Sequence, residues 1–293
     1  MQNQFMRCSV RSLYDMQKLR IQNGNRITAA FRVKLGLTSS QAEEENEEAN
    51  ELLNELRAEF KRLTDGVKRI TKNIKCDSPL ISNRGELALL EAYERQLEAE
   101  KIHAKAIEEE LKNCAIWTDY LLDIRGVGPL MAGVILSEID ITKCNSISAL
   151  WKYCGLDVLV YQNDKGETLE EGRCKQRHHL VPRTYANKKG EVIETIGITF
   201  NPFLKTKMVG VLGTVFIKVG GKYREIYDGY KHRLENHPKH ANKTKGHRHA
   251  MAIRYMMKEF LADLWTTWRK FEGLPVRPSY AEEKLGLVHS KPD

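Results

Sequence analysis

Residues 122–136 read LDIRGVGPLMAGVIL, a Gly126-Val127-Gly128 turn between two apolar stretches. The preceding Trp117-Thr118-Asp119-Tyr120-Leu121-Leu122 keeps a helical rather than an alternating pattern, so no strand leads into the glycines and a dinucleotide-binding Rossmann turn is excluded. Pro129 suits the first turn of a following helix, and Ala132 and Gly133 let a second helix approach closely. The glycines permit a backbone that side chains would block. Gly128 and its successors then offer bare amides at a helix start, where an anionic phosphate is favoured, with Arg125 beside them. The stretch predicts a helix-hairpin-helix turn that reads backbone and not base sequence, with Arg125, Gly126 and Gly128 as binding residues.

Towards the N-terminus, residues 39–74 contain no proline. Leu52, Leu53, Leu56, Phe60, Leu63, Val67, Ile70 and Ile74 recur there at steps of three and four. This predicts one long amphipathic helix, with Ser39 as its N-cap. Asp77-Ser78-Pro79 interrupts the pattern, and residues 86–111 repeat it through Leu87, Leu90, Tyr93, Leu97, Ile102, Ile107 and Leu111. Two such helices form an antiparallel hairpin or a dimerising coiled coil, so a homo-oligomer through this hairpin is expected.

Towards the C-terminus, residues 116–155 read as short helices. The helical period then lapses over residues 156–200, where 158–161 and 192–196 read as strands and 164–166 and 188–190 as turns. Helical pattern returns at 202–219, breaks at Gly220-Gly221, and resumes at 223–227 and 247–271 until Gly273-Leu274-Pro275. The expected fold is mainly α: a long helical hairpin or coiled coil plus a helical domain with a helix-hairpin-helix and a small β insertion. The expected divisions are a basic helical arm over 1–38, an acidic helical hairpin over 39–115 and a nucleic-acid-binding domain over 116–293.

A chain of 293 residues, 41% apolar and 29% charged, can bury a core without staples. It has no window of 18 apolar residues, so no membrane span is expected, and its six scattered cysteines spell neither a disulfide framework nor a zinc motif. A cytoplasmic protein with reduced thiols is expected. The formal charge of +8 is strongly segregated. Residues 1–36 carry seven Lys/Arg against one Asp, residues 42–115 carry 18 Asp/Glu against 12 Lys/Arg, and residues 171–255 carry 18 Lys/Arg against 6 Asp/Glu. Two cationic blocks point to DNA or RNA. The candidate contacts are Arg173, Lys175, Arg177, Lys205, Lys207, Lys222, Arg224, Lys231, Arg233, Lys243, Lys245, Arg248 and Arg254. Tyr223, Tyr227 and Tyr230 fall on one helical face, which assigns their rings to the core and the neighbouring charges to phosphates; Trp265, Trp268 and Phe271, at steps of three, read as packing. His178, His179, His237, His240, His247 and His249, with Cys154 or Cys174, match no zinc spacing and join the basic residues, where their titration would strengthen binding on acidification.

In order, residues 122–136, then 148–156 (SALWKYCGL), then 201–211 (NPFLKTKMVGV), with 247–268 as a closing helix, resemble the C-terminal domain of the transposases of insertion sequences 110, 116 and 902. The resemblance covers about half the chain. It implies a recombinase that pairs a RuvC-like domain with four metal-binding carboxylates and a C-terminal serine nucleophile, guided by a structured RNA. Here Asp15 is the sole carboxylate in the first 40 residues, and no serine lies between Ser148 and Ser279. No cofactor is evident, and Mg2+ enters only if a partner supplies the RuvC-like part in trans. Cys174, in Gly172-Arg173-Cys174-Lys175-Gln176-Arg177, stands near the serine's place; it reads as a nucleophile activated by adjacent cations, as part of a phosphate-contacting loop, or as an inert thiol, and Thr184, Tyr185 and Thr199 are other hydroxyls in the region. The expected function is a transposase-related DNA- or RNA-binding protein of recombination, a strand-transferase with an altered or lost nucleophile. The alternatives are a non-catalytic derivative serving regulation, defence or assembly, and a structural oligomerisation protein.

Overall fold

The computed structural model describes residues 4–37, 42–65, 67, 74–157, 161–162, 168–170 and 180–277. They are mainly α-helical, as the periodicity predicts, with two short antiparallel two-stranded sheets. The chain divides into two compact units, Phe5–Glu108 and a second beginning at Glu109.

The first unit holds α1 (Gln4–Leu35), α2 (Ala42–Thr64) and most of α3 (Arg84–Leu111). Its core joins Leu52, Leu56 and Phe60 of α2 to Leu87, Leu90 and Tyr93 of α3, closed by Ile81 and by Ile27 and Phe31 of α1. Thus α1 covers the apolar stripe of the hairpin. Gly24, in mid-helix, makes the approach possible: a Cβ there would lie 3.2 Å from Cε2 of Tyr93 and 3.4 Å from Cδ2 of Leu53. Asn83 starts α3 by accepting the Glu86 amide at 3.0 Å. The helix expected to run to Ile74 instead ends at Thr64. Asp65-Gly66 follows, a pair that favours turns over helix, and Ile74 and Cys76 pack against the core from non-helical chain.

In the second unit, α4 (Ala115–Thr118), α5 (Pro129–Glu138) and α6 (Ile147–Tyr153) precede β1 (Tyr161–Gln162) and β2 (Thr168–Glu170). Then come β3 (Leu180–Ala186), β4 (Val192–Ile198), α7 (Pro202–Lys205), a π-helical stretch (Thr206–Leu212), α8 (Gly213–Val219), α9 (Lys222–Asn236) and α10 (Lys245–Phe271). From Met131 to Glu138 every residue of α5 is buried, as a helix apolar on all sides requires. Met256, Met257, Phe260, Leu261, Leu264 and Trp265 of α10 supply much of the remaining core. Arg269 is also buried there; it donates to the carbonyls of Pro275, Ile141 and Cys144 and lies over the Trp265 ring. Gly273, at φ +63°, terminates α10, and Leu274 donates back to the Arg269 carbonyl at 2.7 Å.

The expected strand at 192–196 is β4, and the expected turn at 188–190 is ordered by Asn187, whose Oδ1 accepts the Lys189 and Glu191 amides at 2.8 and 3.0 Å. The partner β3, in the register Ala186↔Val192 to Leu180↔Ile198, was not expected as a strand. Of the expected strand 158–161 only Tyr161 is described, and the turn 164–166 and the Ser39 cap lie outside the described residues.

Candidate nucleic-acid interface

The Gly126 turn is held from within by α8. Gly126 has φ +100°, and a Cβ on it would meet Val215 Cγ1 at 3.1 Å and Phe216 Cδ1 and Val219 Cγ2 at 3.2 Å, so both conformation and space demand glycine. Gly128 differs. Its φ of −88° is open to any residue, and nothing lies within 4 Å of the space its side chain would take. The expectation that both glycines serve backbone geometry holds for Gly126 alone. Gly128 is the N-cap of α5; its carbonyl accepts the Ala132 amide at 3.0 Å, and no side chain caps the first turn. With Arg125, Gly128 and Leu130 exposed, the positive end of a buried helix opens at the surface beside a guanidinium.

Behind this turn the two other sequence stations meet. In 150–156, Leu150 and Leu156 are core; Trp151 donates to the Lys258 carbonyl at 3.1 Å, and Tyr153 to the Glu138 carbonyl at 2.9 Å. Gly155, at φ +67°, leaves room for Phe200 and Lys205, whose carbons would lie 2.9 and 2.8 Å from a Cβ. Asn201 caps α7 by accepting the Leu204 amide, donates its own amide to the Tyr153 carbonyl at 2.8 Å, and gives its side-chain amide to the Glu138 carboxylate at 2.7 Å. Glu138, 1% exposed, therefore joins α5, α6 and α7. Sequence reasoning passed over it; the available signal was a charged residue closing an otherwise apolar helix.

The charged residues of α9 and α10 divide into two kinds. At the start of α9, Lys222 pairs with Asp263 at 2.5 Å, and Tyr223 donates to the same carboxylate at 3.1 Å. Arg224 pairs with Asp228 at 2.5 Å and donates to the Ile217 carbonyl. These two expected phosphate contacts are engaged within the fold. At the far end, Arg233, Lys239, Lys243, Lys245 and Arg248 surround the loop between the helices, with His237 and His240 in a 3-10 turn. Burial first, then the positive fields of Lys243, His237, Lys239 and Arg233, hold the His240 imidazole below its ordinary range. Lys243, Lys239 and Arg233 thus converge on the His240 ring. Phe216, which walls Gly126, also stacks on Tyr223 at 4.7 Å, so the turn lies by the start of α9 and the basic loop by its end, about 20 Å along a helix of this length.

The remaining candidates are spread over the unit. Lys205 lies over the Phe200 ring at 4.3 Å, Lys207 over Phe203 at 5.5 Å and Lys231 over Tyr227 at 5.7 Å. Arg254 donates to the carbonyls of Leu156 and Asp157. Tyr223 and Tyr227 are buried as expected, whereas Tyr230 is half-buried and stacks on Tyr255 at 4.1 Å. Trp265 and Trp268 are core, whereas Phe271, expected to pack with them, is 44% exposed at the last residue of α10. His249 lies 2.6 Å from the Tyr227 hydroxyl. Arg173, Cys174, Lys175 and Arg177 lie outside the described residues. Burial raises the thiols of Cys144, to about 11, and of Cys154, so neither is a ready nucleophile. Among the described residues no three His, Cys, Asp or Glu side chains converge as a divalent ion would need. No helix of the described residues is long and apolar enough to cross a membrane. No protein-family model, no curated protein and no solved structure matches this chain, so the resemblance rests on its own three stations.

Proposed function

We propose that this chain is a transposase-related protein that grips DNA or RNA by the sugar-phosphate backbone and acts in DNA recombination or transposition. The observation that carries the binding half is the uncapped N-terminus of α5, open at Gly128 beside the exposed Arg125. The cationic loop between α9 and α10 supports the same reading with longer-range attraction. The recombination half rests on the order of the sequence stations, with DNA as substrate and a structured RNA as a possible guide. Its non-catalytic form, a binder without strand transfer, is favoured by the absence of serine between Ser148 and Ser279.

Gly128→Asp tests the binding reading. An aspartate there is a good helix cap in open space, so the fold is retained, yet its carboxylate takes the position and sign of a bound phosphate. Affinity for duplex DNA and for RNA is expected to fall about tenfold, roughly the worth of one charge-assisted contact. In the unaltered chain, affinity falls steeply between about 50 and 200 mM salt. Unchanged affinity in the variant, with an unchanged melting temperature, overturns the proposal. A protein–DNA adduct that survives denaturation and disappears in Cys174→Ala separates the strand-transferase from the binder.

A further inference from the structure

The loop joining α9 to α10 and the first turn of α10 each hold a nitrogen atom with nothing to bond. His240 Nδ1 and Arg248 Nε are both shut off from solvent and have no hydrogen-bond partner. The Arg248 side chain reaches the backbone of His240, its Nη1 donating to the His240 carbonyl at 3.4 Å. A buried polar nitrogen left unbonded costs about 1–3 kcal/mol, and more when charged; Arg248 Nε is always a donor and His240 Nδ1 is one in its Nδ1–H or protonated form, so the pair calls for a missing acceptor. The surroundings specify its charge. Lys243 and Lys239 of the loop, Arg233 of α9 and His237 all bear on the His240 ring. The His237 ring lies 5.5 Å from that of His240, and its Nδ1 is occupied in accepting the Lys239 amide at 3.1 Å. The N-terminus of α10 enters the same loop, with Thr244 as its cap. A multiply charged anion with several oxygens supplies the missing acceptor and complements the positive field at the His240 ring.

We propose that this loop is a phosphate site, in which His240 Nδ1–H and Arg248 Nε–H donate to the oxygens of one phosphate group while Lys243, Lys239 and Arg233 balance its charge. The inference rests on the nucleic-acid reading only for the source of the phosphate, which is a backbone phosphodiester about one α9 length from the Gly128 turn; a free phosphate ester shares the chemistry. The bound anion opposes the fields that depress the His240 imidazole, so its pKa rises on binding and the site takes up a proton. Affinity therefore increases as pH falls through the pKa of the bound form, and stops increasing below that of the free form.

The test is a titration of the full chain, followed through the His240 ring and Arg248 Nε–H resonances, at constant ionic strength set with chloride. Inorganic phosphate is the first probe. Sulfate is the second, since its charge does not change over this range and any pH dependence then belongs to the protein. Expected are saturable shifts of both resonances with either oxyanion, a higher His240 pKa in the bound form, and sulfate binding several-fold tighter near about pH 5.5 than near about pH 7.5. Lys243→Gln, which removes charge without touching the loop's hydrogen bonds, weakens binding several-fold, and His240→Gln removes the pH dependence. A short DNA duplex that moves the same two resonances assigns the phosphate to nucleic acid. Oxyanion binding that the duplex does not reproduce keeps the site and overturns that source. If neither oxyanion moves the resonances beyond what chloride does, the site is overturned, whether or not DNA binds at Gly128.

Discussion

Helix α1 and the α9–α10 loop both carry an excess of positive charge in sequence and use it in opposite ways. In α1, Arg20 sits against Glu100 at 2.5 Å with Tyr93 also in reach, Arg32 against Glu48, and Lys34 against Glu86, the Leu80 carbonyl and Ser82. Arg57 of α2 pairs with Glu94 in the same manner. Most of these groups are partly buried, so each pair supports the other's desolvation. In the loop the fields of Lys243, His237, Lys239 and Arg233 add at His240 and hold its imidazole below the ordinary value. A net charge read along the chain therefore marks a binding surface only where the fold has not already supplied the counterions, and the acidic block at 42–115 is in part the counterion of the basic block before it.

The largest expected effect breaks this comparison at Arg20. Arg20→Glu sets a carboxylate against the 12%-exposed side chain of Glu100 and removes the donor to Tyr93, and should lower the stability of the first unit by about 3 kcal/mol in urea denaturation, with affinity per folded molecule unchanged. The matching reversal Lys243→Glu should change stability by less than about 0.5 kcal/mol while reducing nucleic-acid affinity about tenfold. Equal effects of the two reversals on affinity would show that α1 also faces the nucleic acid.

A smaller effect separates the glycines that hold structure from the one open to a ligand. Gly155→Ala must place a methyl group 2.8 Å from Lys205 and 2.9 Å from Phe200 in a left-handed conformation, and should cost about 1–3 kcal/mol. Gly128→Ala, in open space at negative φ, should leave the melting temperature nearly unchanged. A large loss at Gly128 would make it a packing residue and remove the reason for reading it as a binding one.

These contrasts also mark what was legible in the sequence. The helices could be read because their stripes are local, with Leu52, Leu56 and Phe60 announcing a face at their own spacing, and Gly126 could be read because only glycine suits its backbone. Strand β3 could not: Pro182 argues against a strand interior, and it is tolerated because a two-stranded ribbon leaves an edge where no amide is needed. The cross-links were equally hidden. Arg20 and Glu100 are 80 positions apart, and Glu138 and Asn201 are 63 apart, so neither pair has a local signature, and only the meeting of three helix ends shows why Tyr-x-Gly-Leu and Asn-Pro-x-Leu-Lys belong together.

The smallest predicted effect tests the ion pairs of the first unit by acid. The guanidinium of Arg62 and then the hydroxyl of Ser78 hydrogen-bond Glu59 and hold its carboxyl at about 2, well below its ordinary value. A depressed carboxyl contributes stability that is complete above its unfolded pKa and is lost as pH falls towards the folded one, here between about 4.5 and 2. Arg62 is largely exposed whereas Ser78 is buried, so added salt should weaken the first contribution and spare the second. Arg62→Gln should therefore shift the loss of stability to higher pH and remove most of its salt dependence, while Ser78→Ala should shift it less and leave the salt dependence in place. Acid unfolding curves at low and high salt read both, and a Ser78→Ala shift exceeding that of Arg62→Gln would mean that the connection at 74–82, and not the surface pair, anchors the end of α2.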